Sequence, residues 1–235
     1  MAFRCLFHVH TRHSFDSLLS PKALLERARK LNVGVLIVTD HNTIQGSLEV
    51  QNLAQGGPPR VVAAAEYQSE RGDIIGLCLK EEIRTRRAAE ILEQIHAQGG
   101  LAVLPHPYHG HALDDAWLAG MDLIEVYNAR CSDRDNARAH ELAQRLGCAA
   151  LVGADAHCSL ELGSAMNEFL AETRGSDAEL QDRLLHAPRS FVMQRSPSLC
   201  RSYSQMVKAI KTRNPRLFLS QAKRMAMVLA QGEKQ

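Results

Sequence analysis

Short apolar runs rich in β-forming residues alternate with stretches of helical length through almost the whole chain, and histidines and carboxylates gather where the runs end. The runs cover residues 3–9, 33–39, 61–65, 74–79, 101–104, 123–127, 149–153 and 191–193. Strands that are apolar on both faces and separated by helices are expected to pair in parallel, with right-handed crossovers placing the helices outside. This predicts an α/β fold, and the polar positions favour a closed (β/α) barrel over an open doubly wound sheet. His8, His10, Asp40, His41, Glu66, His106, Glu125 and Asp155 all lie at or just past the C-terminal end of a run, which is the active face of such barrels.

The segments between the runs carry helix signals. Ser20-Pro21 offers a hydroxyl cap and a proline at the first helical position, with Leu24, Leu25, Ala28 and Leu31 following at core spacing. Residues 84–98 repeat the pattern with Ala88, Ile91, Leu92 and Ile95 inward and Gly99-Gly100 as the stop, and residues 133–146 form a third such segment. No internal repeat and no Gly-rich phosphate loop is present.

At 235 residues and 45% hydrophobic, the chain can bury one large core. Its net charge of +2 is unevenly divided, because residues 195–235 hold nine Lys or Arg against Glu233 alone, about +8, which leaves about −6 on the rest. The expected organisation is a barrel over 1–194 and a basic helical extension over 195–235. Val207, Ile210, Leu217, Phe218, Met225 and Leu229 give the extension an apolar stripe, which favours docking on its own domain over reaching for an anionic partner such as nucleic acid. No run approaches the ~18 apolar residues that a bilayer span needs, and no leader pattern opens the chain, so a cytoplasmic protein without membrane contact is expected. Cys5, Cys78, Cys131, Cys148, Cys158 and Cys200 lack metal-binding spacing and read as free thiols, with a soft metal ligand the competing reading for Cys131 alone.

The chemistry gathers in five short segments. His8 and His10, alternate residues at a strand end, are expected to project to one side and bind one ion, with Asp16 close enough to serve a neighbouring ion. His41 follows an apolar strand, and Asp40 beside it is expected to hold its ring nitrogen. Glu66 closes Val-Val-Ala-Ala-Ala, where small neighbours leave room for a carboxylate bridging two cations. His106 is held extended between Pro105 and Pro107, with His109 and His111 in the looser loop beyond. Asp155 and His157 form a second alternate pair that closure of a barrel brings beside the first. Imidazole and carboxylate without dedicated thiolates suit Zn²⁺, Mn²⁺ or Fe²⁺. Asp16, Glu66 and Arg130 are the residues expected to take part in catalysis, Arg130 as a phosphate binder together with Arg12 and His13.

Taken in order, His8-x-His10-Thr11-x-x-Ser14-x-Asp16, Thr39-Asp40-His41-Asn42, strand-end Glu66, Pro105-His106-Pro107 and Gly153-x-Asp155-Ala156-His157 resemble the PHP family, named for polymerase and histidinol phosphatase. The resemblance runs from about Phe3 to Phe169. It implies a metal-dependent phosphoesterase on a distorted seven-stranded (β/α) barrel, using a metal-activated water and two or three divalent ions on a small phosphomonoester or nucleotide-type substrate. It also implies that His8, His10, Glu66 and Asp155 bind one ion, that Asp16, His41 and His157 bind another, and that Glu66 and His106 contribute to a third. The chain departs from the family pattern at Leu6, where an Asp is common, and at Asp73 and Cys131, where further histidines are expected. Three other readings compete: a catalytically silent PHP-like interaction module, an amidohydrolase, and a nuclease using the basic extension on oligonucleotides. Oligomeric state is not legible.

Overall fold

The computed structural model describes residues 2–172 and 175–232. Among them nine strands and eight helices follow the order β1 (Phe3–Val9), α1 (Pro21–Lys30), β2 (Val33–Val38), α2 (Gln45–Ala54), β3 (Arg60–Ser69), β4 (Gly72–Leu77), α3 (Ala88–Ala97), β5 (Leu101–Leu104), α4 (Asp115–Leu118), β6 (Leu123–Asn128), α5 (Asp133–Leu146), β7 (Ala149–Gly153), β8 (Ala165–Phe169), α6 (Asp177–His186), β9 (Arg189–Met193), α7 (Ser198–Lys211) and α8 (Pro215–Gly232). All belong to one sheet with order β7-β6-β5-β4-β3-β2-β1-β8-β9.

The sheet curls into a nearly closed barrel whose seam runs along β1. The first residues of β1 pair antiparallel with β8, Phe3 opposite Phe169 and Cys5 opposite Asn167. Its last residues take up the end of β7, through Ala154 N to Phe7 O, Ala156 N to His8 O and His10 N to Ala156 O at 2.8–3.1 Å. Between these two stretches, the buried Asn167 side chain spans the gap. Its Oδ1 accepts from Val152 N at 2.9 Å and its Nδ2 donates to Val152 O at 2.8 Å. An amide can replace one donor and one acceptor of a missing strand neighbour, so Asn167 satisfies backbone groups that would otherwise be orphaned in the seam.

Strand alternation divides the core in two. Cys5, Phe7, Val35, Ile37, Val62, Ala64, Ile75, Leu77, Val103, Leu123 and Leu151 fill the barrel, with Leu180 and Leu184 of α6 added to the same cluster. The opposite faces pack under the helices, against Leu24, Leu25 and Ala28 of α1 and Ile91 and Ile95 of α3. Ser20 caps α1 by accepting from Ala23 N, as its sequence predicts. The helix expected over 84–98 starts only at Ala88, because Arg87 is extended.

The expectation of an all-parallel sheet is corrected. β3 and β4 are joined by Glu70 and Arg71 alone, too few residues for a crossover, so they pair antiparallel, and β5 is antiparallel to β4 in turn. β8, which the apolar pattern does not reveal, adds a further antiparallel partner.

The extension packs back on the barrel. Cys200, Val207 and Ala209 of α7 are buried, and Lys211 Nζ donates to the carbonyls of Arg12, Ser14 and Ser17 at 2.6–2.8 Å. Ile210 leaves the expected stripe and is exposed, Leu217, Phe218 and Met225 are half-buried, and the side chain of Leu229 lies outside the described residues. No described helix is long and apolar enough to cross a membrane.

Candidate metal centre

Inward alternation delivers the site. The core positions Val62 and Ala64 continue to Glu66, Leu123 continues to Glu125, and on the reversed strand β4 Leu77 and Ile75 lead back to Asp73. Histidines from the loops beyond the strands complete the ring. Donor atoms of His10, Asp16, His41 and His157 all lie within 4.8 Å of one another, as do those of His8, Glu66 and His106, and those of His8, His10 and Asp155. Every metal ligand expected from the sequence therefore falls in one cluster, with His10 nearer to Asp16, His41 and His157 than the resemblance implies.

Backbone strain marks three of the expected ligands. His8, His106 and Asp155 have φ of 62°, 27° and 47°, a region that non-glycine residues rarely adopt and that persists where the surroundings enforce it. The simple alternation expected of His8 and His10 is accordingly broken, and the β1–β2 register is irregular between Leu6 and Val9. The two rings still converge, with centroids 5.2 Å apart.

Hydrogen bonds behind the rings fix which nitrogen faces the centre. Glu125 can only accept as a carboxylate, so His8 Nδ1 donates in their 2.8 Å contact and Nε2 is the nitrogen turned inward. Ser14 spends its proton on Asp40 Oδ1 and receives His10 Nδ1–H at 3.0 Å, which leaves His10 Nε2 bare. His157 Nδ1 donates to the Asp155 carbonyl at 2.9 Å. The 2.8 Å contact makes Glu125 the acceptor that Leu6 cannot be. Gly153 permits this placement, since a Cβ there would collide with the Glu125 carboxylate.

These rings meet carboxylates at the spacing of ligands around an ion. His8 Nε2 is 3.5 Å from Glu66 Oε1, and His10 Nε2 is 3.5 Å from both Glu66 Oε2 and Asp155 Oδ1. His41 Nε2 is 3.4 Å and His157 Nε2 is 3.1 Å from Asp16 Oδ2, and His106 Nε2 is 3.1 Å from Glu66 Oε1. Ligands about 2.0–2.2 Å from one cation stand roughly 3.3–3.6 Å apart in a tetrahedron and about 2.8–3.1 Å apart in an octahedron, which together bracket these spacings. His8 Nε2, His10 Nε2 and Asp16 Oδ1 are buried without a hydrogen-bond partner, a costly state that a cation would relieve. On both counts the donor set fits divalent ions.

Without cations, protons balance the charge. Burial opposes a charged His8, but Glu125, Glu66 and Asp155 outweigh it and raise its pKa well above the ordinary value. Burial is likewise outweighed at His41, by Glu66 and Asp16, and at His106, by Glu66, and both are carried up to about 9. His10 is the exception, since burial and then repulsion from His157 and His41 push it down to about 3. Glu66, Asp16 and Asp155 are held below the carboxylate range, where neighbouring imidazoles overcome burial. Burial and then Glu66 lift Asp73, in the pocket wall, to about 6.

Several expected roles change. Asp40 does not touch the His41 ring; its carboxylate accepts from Thr11 N, Thr11 Oγ1 and Ser14 Oγ, so it orients His10 through Ser14. Arg12 and His13 turn to Glu49, at 2.7 Å each, and leave the phosphate-binding expectation unsupported. Arg130 lines the pocket, but its guanidinium is engaged by buried Glu161 through two bonds of 2.7 and 2.9 Å and by Ser204 Oγ at 3.0 Å. Its contacts are those of a strut rather than an open phosphate fork. Glu161 in turn accepts the His157 backbone N–H at 2.8 Å, which links Arg130 to a ligand. Burial pushes the Cys131 thiol up, which disfavours the thiolate a soft ligand needs. His111 stacks on Trp117 and contacts the Asp73 carbonyl, whereas His109 reaches the pocket wall. Glu161 is the site residue a reading of strand ends does not find; Glu125 was placed on the active face but given no role, and its shared parity with Leu123 was the signal that it points inward.

Two family models match the chain, the PHP domain over residues 7–118 and the PHP-associated model over residues 133–187. An uncharacterised protein of Methanocaldococcus jannaschii is 38% identical over 136 residues, which cover 52% of this chain and 80% of the relative. Among solved structures, a candidate metal-dependent phosphoesterase from Bifidobacterium adolescentis superposes with a TM-score of 0.58 at 15% identity, covering 77% of this chain and 95% of the other. A lesion-specific endonuclease from Pyrococcus furiosus superposes with a TM-score of 0.57 at 17% identity, covering 77% of this chain and 55% of that one. Both structural likenesses concern the fold. On its sequence similarity and matched domain models, the chain belongs to the PHP family.

Proposed function

We propose that the chain is a metal-dependent hydrolase of phosphate esters, acting on a small phosphorylated substrate. The observation that carries this reading is the pair of inward-facing imidazole nitrogens of His8 and His10, buried without a hydrogen-bond partner and surrounded by Glu66, Asp155 and Asp16. Bound divalent ions would lower the pKa of an attacking water and neutralise charge on the phosphoryl oxygens. His8, His10, Asp16, His41, Glu66, His106, Asp155 and His157 would hold two or three such ions, with Zn²⁺, Mn²⁺ and Fe²⁺ all compatible.

The rest of the work belongs to the chain. Glu66 touches His8, His10, His41 and His106 at once, so it is suited to share its two oxygens between neighbouring ions. Asp16 reaches His41 and His157 from the loop after β1 and fixes that side of the centre. Arg130 acts as a positioning residue through Glu161. The barrel of residues 1–194 would supply this chemistry, and α7 of the extension lines one side of the cavity. The nuclease alternative drew on the extension's charge, yet α7 lies folded against the ligand loop, which favours a compact substrate.

Hydrolysis of a panel of phosphate monoesters and diesters with added Mn²⁺, Zn²⁺ or Fe²⁺ tests the reading on wild-type, His8→Ala and Asp155→Ala proteins. Metal-stimulated turnover that both substitutions abolish is expected. Inactivity of the wild type with every metal and ester would favour a silent module, and turnover confined to amides or lactones would favour an amidohydrolase.

A further inference from the structure

Resting on the reading above, we propose that α7 forms an anion-binding wall in which Arg201 and Lys208, with Gln205 between them, hold the phosphate dianion of a small phosphomonoester against the metal ligands. The three residues are spaced i, i+4 and i+7 and so share one helix face. All three line the same cavity as Asp16, His41, Glu66, Asp155 and His157, a space of about 280 Å³. The matched family models end at residue 187, so this wall lies outside what the family match describes.

Anchors on either side give the face its position. Lys211 is bonded to three carbonyls of the loop that carries Asp16. One helical turn after Cys200, Arg130 ties Ser204 to buried Glu161, and Cys200, Val207 and Ala209 are buried on the flanks of the same face. The two cations are thereby presented without being consumed. Neither Arg201 nor Lys208 forms an ion pair among the described residues, although Asp73 and Asp135 share the cavity wall and Asp135 accepts a hydrogen bond from Ser132 Oγ. Lys208 Nζ lies 4.8 Å over the ring of Phe15, which stacks at 4.5 Å on the ligand His41. A lysine beside a ligand ring and an arginine on the same face thus look into one small polar cavity.

Charge and size then select the substrate class. A phosphomonoester dianion offers three non-ester oxygens and two charges, against two oxygens and one charge in a diester. A planar guanidinium fork and an ammonium on one side, with cations on the other, reward the monoester more. The cavity falls just below the ~300–1,000 Å³ of pockets that enclose drug-sized ligands, which suits a compact leaving group.

The test uses full-length, metal-loaded protein and two readouts. Inorganic phosphate binding is measured calorimetrically, and kcat/KM is measured with p-nitrophenyl phosphate and with bis-p-nitrophenyl phosphate. The variants are Arg201→Ala, Lys208→Ala, the charge-retaining Arg201→Lys, and Lys223→Ala on α8 as a control for lost charge. Metal content and thermal unfolding are checked for each. Loss of a charged hydrogen-bond donor should weaken phosphate binding roughly 10- to 100-fold in both alanine variants. KM for the monoester should rise more than for the diester, Arg201→Lys should recover part of the loss, and Lys223→Ala should match wild type. Unchanged phosphate binding in both alanine variants, while the wild type turns over esters, would overturn the wall and leave the phosphoesterase reading intact. Wild-type protein that hydrolyses no ester yet binds phosphate through Arg201 would sink the phosphoesterase reading alone. Equal losses on monoester and diester would overturn the monoester assignment.

Discussion

Glu125 does for His8 what the residue two positions ahead, Leu6, cannot. Its carboxylate takes His8 Nδ1–H, the backbone N–H of His106 at 2.7 Å and an Asn128 amide hydrogen at 3.0 Å, so one buried side chain orients two ligand segments. Acceptors behind metal-binding histidines typically matter 10- to 100-fold to metal affinity. Glu125→Gln keeps the shape but replaces an oxygen with a donor, which must face N–H groups. Metal affinity measured by chelator competition should fall by about that range while the fold survives; unchanged affinity would show that His8 needs no such partner. The same residue shows how much was legible: the candidate ligands other than Asp16 could be picked out from their places at or just past strand ends, whereas the acceptors behind them depend on register and tertiary approach. Asp40 illustrates the limit, since its sequence neighbour is His41 but its spatial neighbours are Thr11 and Ser14.

Among the elements, the alternation of strands and helices was readable and the strand directions were not. Periodicity reports burial but not direction, and only the short Glu70-Arg71 connection could have announced that β3 and β4 form a hairpin. β8 escaped because Asn167 and Glu168 interrupt its apolar character, and Asn167 is polar for a structural reason. Asn167→Leu should leave the Val152 N–H and C=O unpaired in the barrel seam, and each buried orphan costs about 1–3 kcal/mol. Denaturant unfolding should show a loss of several kcal/mol, with faster amide exchange along β7. A loss below about 1 kcal/mol would mean that water or a repaired seam replaces the amide.

For the molecule as a whole, folding gathers carboxylates and imidazoles into one buried volume, and the metal-free protein tolerates them by binding protons. His41 and His106, raised to about 9 when folded, are protonated at pH 7 without metal, yet an imidazole must be neutral to coordinate an ion. Metal binding at pH 7 should therefore release protons, visible as a dependence of the calorimetric heat on buffer ionisation enthalpy; heats independent of buffer would contradict this. The sign for stability follows from the same shift. A folded pKa above the unfolded value near 6.5 contributes stability that is complete below pH ~6.5 and lost as pH rises through about 9. The metal-free protein should weaken over that window, and saturating divalent metal should flatten the decline by taking the protons' place.

Metal stoichiometry tests the central claim most directly, because everything proposed for the site depends on cations being held where β1, β3 and β7 converge. Elemental analysis of protein reconstituted with Mn²⁺ or Zn²⁺ and freed of excess should find at least two ions per chain in the wild type and a clear loss in Asp155→Ala and His8→Ala. Wild-type protein that retains less than one ion, or variants that retain as many as the wild type, would contradict the account.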